Sequence, residues 1–392
     1  MSLNEFTYPY DLPNNYKGPG SPIVKPGDES KPIPLTFTPI TIKSLTLKNR
    51  LVVSPMCQYS SHNGEANDWH LSHYSSYAKG GASLVIFEAA AVQPEGRISY
   101  ADLGIWSDEF IAPLKRCVDL VHRLGSTAGI QLAHAGRKAS SIPPFLEGAR
   151  NSIPSDQPNG WEVFGPSEIK FNDNMSLPHE MTKEQIKETI EAFKQGALRL
   201  LKAGFDMIEI HNAHGYIGNQ FISPVSNQRT DEYGGSFENR IRFLLETITE
   251  IRSVWPTEKV LAVRLTCDEW LEDGSGWTMN DTIELVKILD TMDVDIIDCS
   301  SGGNSTKQKI KVEPLYQVPF ADSVKKHTKN LFVATVGLIN TGNEIEDILQ
   351  QNKADIVMLA RPFLRNPHFV YQVAKELNQT INYQIQYERG RE

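Results

Sequence analysis

The stretch FDMIEIHNAHGY, Phe205 to Tyr216, joins a short apolar run to a polar one that carries two histidines three residues apart. It is one of several such runs. The others are Leu51–Ser54, Leu84–Ala89, Thr127–Ala133, Val260–Leu265, Ile296–Ser300, Phe332–Val336 and Ile356–Leu359, with Met207–Ile210 the fourth in order. They are mostly continuous rather than alternating, and several are β-branched, which is how strands buried on both faces read. Between them lie longer segments, among them Thr182–Ala203, Phe237–Val254 and Asn280–Met292. In the first, Ile186, Ile190, Phe193, Ala197, Leu200 and Leu201 share one helical face, and Thr182 with Gln185 makes a capping-box start. Eight strand–helix repeats predict a parallel sheet with right-handed crossovers, closed as a single-domain (β/α)8 TIM barrel. The competing architecture is an open doubly wound sheet. It usually carries a G-x-G-x-x-G turn after the first strand, where this chain has Pro55-Met56-Cys57-Gln58-Tyr59.

The bulk properties agree with one large α/β unit. The chain has 392 residues, 40% hydrophobic and 22% charged. Its net charge of −9 argues against nucleic acid as a partner, because phosphate neutralisation needs a basic face. Cys57, Cys117, Cys267 and Cys299 are scattered and form no C-x-x-C pair, which points to a reducing compartment rather than a disulfide framework. No basic-then-apolar start marks a secretory signal, and no window reaches the ~18 apolar residues of a membrane span. The expected location is the cytoplasm. Residues 1–33 are rich in Pro, Gly, Asn and Ser and read as an extended or poorly ordered arm, 34–380 as the barrel, and 381–392 as a tail. The Pro/Gly-rich loop from His134 to His179 is expected to cover one end of the barrel.

Barrel active sites lie where strands end, so the residues there carry the functional reading. Gly337 and Arg361 follow the last two strands, where barrels often bind phosphate. Arg264 places a guanidinium inside an apolar strand. Either a carboxylate such as Glu209 or Asp298 pairs with it, or it faces an electron-rich heterocycle whose amide-like edge Gln131 also meets. The histidine pair is open to three readings. His211 and His214 are turn residues; or they bind a metal with Glu209, His134 or Asp298; or both rings donate to one ligand oxygen that gains negative charge, with Tyr216 delivering a proton to the neighbouring carbon.

The segment HNAHGYIGNQFISPVSNQRTDEYGGSFENRIRF, from His211 to Phe243, resembles the signature of the Old Yellow Enzyme family of FMN-dependent ene-reductases, and the likeness extends from about Leu35 to Arg389. SPMCQYS, Ser54 to Ser60, is similar to the thermophilic-like branch that has Cys before the flavin. The resemblance implies non-covalent FMN as cofactor, NADPH or NADH as hydride donor, and activated alkenes as substrates. It implies that Ser54, Pro55, Met56 and Cys57 line the flavin and that Ala89 and Gln131 contact its ring. Arg264 would face its N1–C2=O edge, and Gly337, Ala360 and Arg361 would hold its phosphate. His211 and His214 would bind the substrate oxygen, Tyr216 would donate the proton, and Tyr59 and Cys57 would contact ligand. The implied assembly is a homodimer or higher homo-oligomer in which Arg389 reaches a neighbour's active site. The chain departs from the pattern there: Arg391-Glu392 follows Gly390, where relatives often have an aromatic residue.

Overall fold

A computed structural model of the chain describes residues 16–24, 27 and 30–391. Eight parallel strands form the barrel: β1 (Leu51–Val53), β2 (Leu84–Ala91), β3 (Thr127–Ala133), β4 (Met207–Asn212), β5 (Val260–Thr266), β6 (Ile296–Ser300), β7 (Phe332–Thr335) and β8 (Ile356–Leu359). Each pairs with the next, and β8 returns to β1 through Val357↔Leu51, so the sheet closes and no edge is left. The open-sheet alternative is thereby excluded. The outer ring is α1 (Asp68–Lys79), α2 (Ile111–Arg123), α3 (Lys183–Ala203), α4 (Phe237–Arg252), α5 (Met279–Leu289), α6 (Val318–His327), α7 (Gly342–Gln350) and α8 (Phe369–Glu376). No helix among the described residues is long and apolar enough to cross a membrane.

Local chemistry sets the element ends. Thr182 caps α3 as the sequence predicts: its hydroxyl accepts from Gln185 N at 3.2 Å, and the Gln185 side chain accepts from Thr182 N at 2.9 Å. Gly204, at φ +91°, then stops the helix in a conformation that costs an L side chain strain. Strand β4 runs two residues past the apolar run, because His211 and Asn212 still pair with Arg264 and Leu265 of β5. Polarity ended the predicted strand; hydrogen bonding continues it.

Of the features that have no counterpart in the predicted elements, two shape the barrel itself. Ile40–Ile42 and Leu45–Leu47 form an antiparallel hairpin. Its Ile40, Ile42, Leu45 and Leu47 pack with Val52, Leu84, Ile86, Met207, Val260, Ala262, Ile296, Ala334, Ile356 and Met358 inside the barrel, sealing its lower end with hydrocarbon. The second feature is a bulge in β2. Phe87 pairs with Ile130, but Ala89 pairs with Gln131, so Glu88 is left out of the ladder. Phe87 stacks on Tyr74 of α1 at 3.7 Å, and Tyr74 donates to Glu88 Oε1 at 2.8 Å. Two consecutive side chains thus face the helix layer, and Ala89 turns inward.

Of the N-terminal segment, residues 1–15, 25, 26, 28 and 29 lie outside the described residues. Residues 20–23 run antiparallel to 380–382, with Gly20 N on Asn382 O and Ile23 N on Thr380 O, both at 2.8 Å.

Candidate active site

Above the hydrocarbon floor the barrel interior turns polar. Arg264 of β5 is buried, and its Nε ion-pairs with Asp298 of β6. Its Nη2 donates to Ser54 Oγ at 2.8 Å and meets Met358 Sδ at 3.8 Å, while Glu209 Oε1 of β4 stands 3.6 Å from Nε. Gln131 Nε2 of β3 donates to Glu209 Oε1 at 2.8 Å. The carboxylate partners the sequence offered for Arg264 are therefore both in place. A buried guanidinium needs such countercharge. Its Nη1 makes no hydrogen bond among the described residues. Burial pushes the carboxyls of Glu209 and Asp298 up, and Arg264 opposes it.

One layer higher stand the histidines. The His211 ring lies edge-on to His214, centroids 5.2 Å apart at 83°, and edge-on to Tyr216 at 4.9 Å and 70°. Burial first, then His214, Arg264 and Lys138, drive the His211 pKa far down; burial, Arg264 and Lys138 hold His214 at about 3. Both rings are neutral at physiological pH, each with one N–H and one lone pair. They are not equivalent. His211 Nδ1 is buried without a partner, whereas His214 Nε2 is 2.6 Å from Ser300 Oγ. One ring is thus tied to β6 and the other has an unmatched nitrogen. Burial pushes the Tyr216 phenol well up, so it stays protonated.

The loop carrying these groups is held by close backbone approach. Gly215 (φ +75°) has Gly303 O 2.3 Å from where a Cβ would stand, and Gly303 (φ +94°) has His214 Cα at 2.5 Å. Only glycine allows that distance on both sides. His214 N donates to Thr266 Oγ1 at 2.9 Å, and Gly215 N to Asn219 Oδ1 at 2.7 Å. Lys138, from the long loop after β3, bridges the two strand-end loops by donating to His214 O at 2.9 Å and Gly303 O at 3.0 Å. Its ammonium sits 5.2 Å over the Tyr216 ring, and burial, followed by Arg137 and Arg150, lowers its pKa to about 7. Arg137 Nη2 donates to Asn304 O at 2.6 Å. The loop from His134 thus covers the C-terminal end of the barrel, as its composition predicts.

After β1 the chain makes a tight turn in which Tyr59 has φ +49°. Gln58 N donates to Glu88 Oε2 at 2.8 Å, fastening this turn to the β2 bulge. The Cys57 thiol is pushed well up by burial, then by Asp102 and Glu88, so it is a thiol and not a thiolate. The Tyr59 ring, two residues on, packs edge-on to Phe145 at 6.1 Å. Burial raises Glu88 to about 8.

The remaining predicted residues fall in two places. Gly337, at φ +124°, follows β7, where a Cβ would meet Gln317 Nε2 at 2.7 Å. Gln317 Nε2 donates to Val336 O at 2.8 Å. Ala360 precedes the short helix Arg361–Arg365, and the Arg361 side chain is exposed with no hydrogen bond among the described residues. Arg389 is exposed in the turn Ile385–Gly390, whose Tyr387 packs on His368; among the described residues no contact joins it to the cluster. The metal reading does not assemble. Glu209 is held by Gln131, and His134 Nδ1 accepts from Gly136 N at 3.0 Å; among the described residues no group of three or more His, Cys, Asp or Glu is arranged to hold a metal ion. Residues the sequence reading passed over are Lys138, Ser300, Asn304 and Gln317. The cationic pair Arg137-Lys138 directly after β3 and the Gly302-Gly303 turn directly after β6 were the available signals.

Comparison with known proteins places this arrangement. Residues 35–380 match the NADH:flavin oxidoreductase / NADH oxidase family. The chain is 47% identical over 356 residues to an NADPH dehydrogenase of Bacillus velezensis, covering 90% of this chain and 98% of that one. It is 48% identical over 356 residues to one of Halalkalibacterium halodurans, with the same coverage of 90% and 98%. Its structure is similar to that of morphinone reductase, with a TM-score of 0.73 at 27% identity, covering 89% of this chain and 91% of that one. With the closed barrel, the polar layer around Arg264 and the histidine pair, these matches show that the chain belongs to the NADH:flavin oxidoreductase / NADH oxidase family, the Old Yellow Enzymes, and is an FMN-dependent oxidoreductase.

Proposed function

We propose that this chain is an NADPH-dependent reductase of the activated C=C bond of α,β-unsaturated carbonyl and nitro compounds. The carrying observation is one neutral, buried cluster: His211 with an unmatched nitrogen, His214 tied to Ser300, and a protonated Tyr216 packed 4.9 Å from His211.

The residues present fit FMN. The free Nη1 of Arg264 and the carbonyl oxygen of Gln131 offer a donor and an acceptor to an amide-like ring edge. Ser54, Pro55, Met56, Cys57 and Ala89 would line the ring. The exposed Arg361 with Ala360 and the close-approach Gly337 would hold a phosphate. When bound, FMN supplies the hydride it has taken from NADPH or NADH.

The chain's own residues do the rest. His211 and His214 orient the substrate's oxygen and offset the charge that develops on it. Each neutral ring keeps one N–H with which to donate. Cys57 and Tyr59 contact the ligand from the opposite loop. Tyr216 holds a phenolic proton that its burial keeps in place, and it delivers that proton to the α-carbon. Both half-reactions use one mouth, because the lower end is sealed, which supports a ping-pong order. The exposed Arg389 turn supports a homo-oligomer in which the tail meets a neighbour.

The test is Tyr216→Phe followed in two halves. Anaerobic bleaching of the flavin by NADPH should be unchanged. Its recovery on adding cyclohexenone should slow by ~10²–10⁴, the range for loss of a general acid. Unchanged recovery would remove Tyr216 from the proton step.

A further inference from the structure

The polar cluster around Arg264 holds two acids and one base, and each acid has one unmatched oxygen. Glu209 Oε1 accepts from Gln131, and Asp298 Oδ2 pairs with Arg264. The other oxygen of each, Glu209 Oε2 and Asp298 Oδ1, is buried with no donor. Both carboxyls stand against the same nitrogen, Asp298 Oδ2 ion-paired with Arg264 Nε and Glu209 Oε1 3.6 Å from it. Two carboxylates crowded on one guanidinium, remote from water, would repel strongly. One proton held by the pair removes the repulsion and makes the trio with Arg264 electrically neutral.

We propose that the Glu209–Asp298 pair is a buried proton acceptor coupled to reduction of the cofactor. This rests on the reading that Arg264 borders the flavin's N1–C2=O edge. The donor's hydride brings two electrons and one proton to the ring, which gains one negative charge. That charge draws on Arg264, the same cation that holds Asp298. The pair then takes a second proton from solvent and passes from acid–carboxylate to two carboxylic acids. The bond formed is one O–H, no bond in the protein breaks, and neutrality is restored.

The groups facing the pair leave it as the acceptor. Arg264 comes from β5. His211 and His214 lie above, and burial beside Arg264 and Lys138 opposes their protonation. Cys57, after β1, is already protonated, and Cys299 of β6 carries a thiol pushed well up by burial. Ser54, Gln131 and Met358 do not titrate. Ile86 and Ala89 of β2 and Ala334 of β7 add no charge. Desolvation raises both carboxyls, as a pair retaining a proton near neutrality requires.

The experiment is the flavin midpoint potential of the holoenzyme as a function of pH around neutrality, for wild type, Glu209→Gln and Asp298→Asn. Each proton taken up per two electrons changes the equilibrium tenfold per pH unit, or about 30 mV. Wild type should fall by twice that, and each amide variant by one such step, because the remaining carboxylate is locked on Arg264. An infrared carboxylic-acid C=O band in wild type, missing from both variants, reports the shared proton without turnover. Equal slopes in wild type and variants, or no such band, overturn the inference. Arg264→Lys separates the two levels. If it shifts the potential and FMN affinity while the slopes are equal, the flavin reading stands and the proton inference fails. If it shifts neither, the flavin reading fails, and the inference falls with it.

Discussion

Replacing Gly303 by alanine probes a close backbone contact at the mouth. The new Cβ would stand 2.5, 2.6 and 2.7 Å from Cα, C and O of His214, where ordinary contact begins at 3.4 Å. All three are backbone atoms, so no side-chain rotation relieves the clash. The loops after β4 and β6 must part by about 1 Å, and the left-handed backbone at φ +94° adds roughly 1–2 kcal/mol of strain. Lys138 cannot keep both of its carbonyl partners, at 2.9 and 3.0 Å, across the widened gap. A displacement of about 1 Å at reacting groups costs on the order of 10²-fold in rate. Stopped-flow absorbance should therefore show flavin recovery by cyclohexenone slowed about 100-fold, with FMN still bound. Gly215→Ala, whose Cβ would meet Gly303 O at 2.3 Å, should behave alike, and the double variant should be far from additive. Gly274→Ala is the control: it has φ +66° but nothing within 4 Å, so it carries the backbone strain without the clash. A folded Gly303→Ala protein that recovers its flavin at the wild-type rate would refute the claim that this contact positions the histidine loop.

Two further outcomes test the scaffold. Ile42→Ala, in the hairpin that seals the barrel floor, should lower unfolding stability by about 2–5 kcal/mol in denaturant titrations and leave the flavin spectrum unchanged. Glu88, raised by burial from its ordinary value of 4.5 to about 8, binds its proton more tightly in the folded chain than in the unfolded one. Its contribution to stability is full below pH 4.5 and is lost as pH rises to about 8; Glu88→Gln should flatten that part of the wild-type stability profile, measured by urea unfolding at pH 5, 7 and 9.

Most of the barrel was legible because buried parallel strands are written as continuous apolar runs. Thr127–Ala133, Ile296–Ser300 and Ile356–Leu359 have the bounds their hydrophobicity predicts. Legibility failed where a strand stays paired after its side chains turn polar, as at His211 and Asn212. It failed also for the floor hairpin, whose alternating Ile-Thr-Ile and Leu-Thr-Leu strands are only three residues long. In the site, residue types announced themselves: an arginine in an apolar strand, two histidines at a strand end. Their partners did not. That Lys138 would bridge His214 and Gly303, or that Gln317 would meet Val336, depends on loops remote in sequence meeting over the mouth. The Arg264 alternatives were not exclusive, since a guanidinium has several N–H groups and Asp298, Glu209 and Ser54 leave one available.

The unpaired position in β2 has a consequence for how this chain can vary. In a strand, parity decides destination: every residue added or lost exchanges inside and outside for all that follow. Skipping Glu88 in the ladder lets Ile86 and Ala89, an odd number of steps apart, both point inward. A sequence without Glu88 would pair Phe87 and Ala89 as successive residues and keep Ala89 inward, but it would lose the carboxylate that accepts from Gln58 N and from the Tyr74 hydroxyl. The extra residue therefore ties the turn after β1 and helix α1 to β2 without altering which side chains of the strand face the barrel interior.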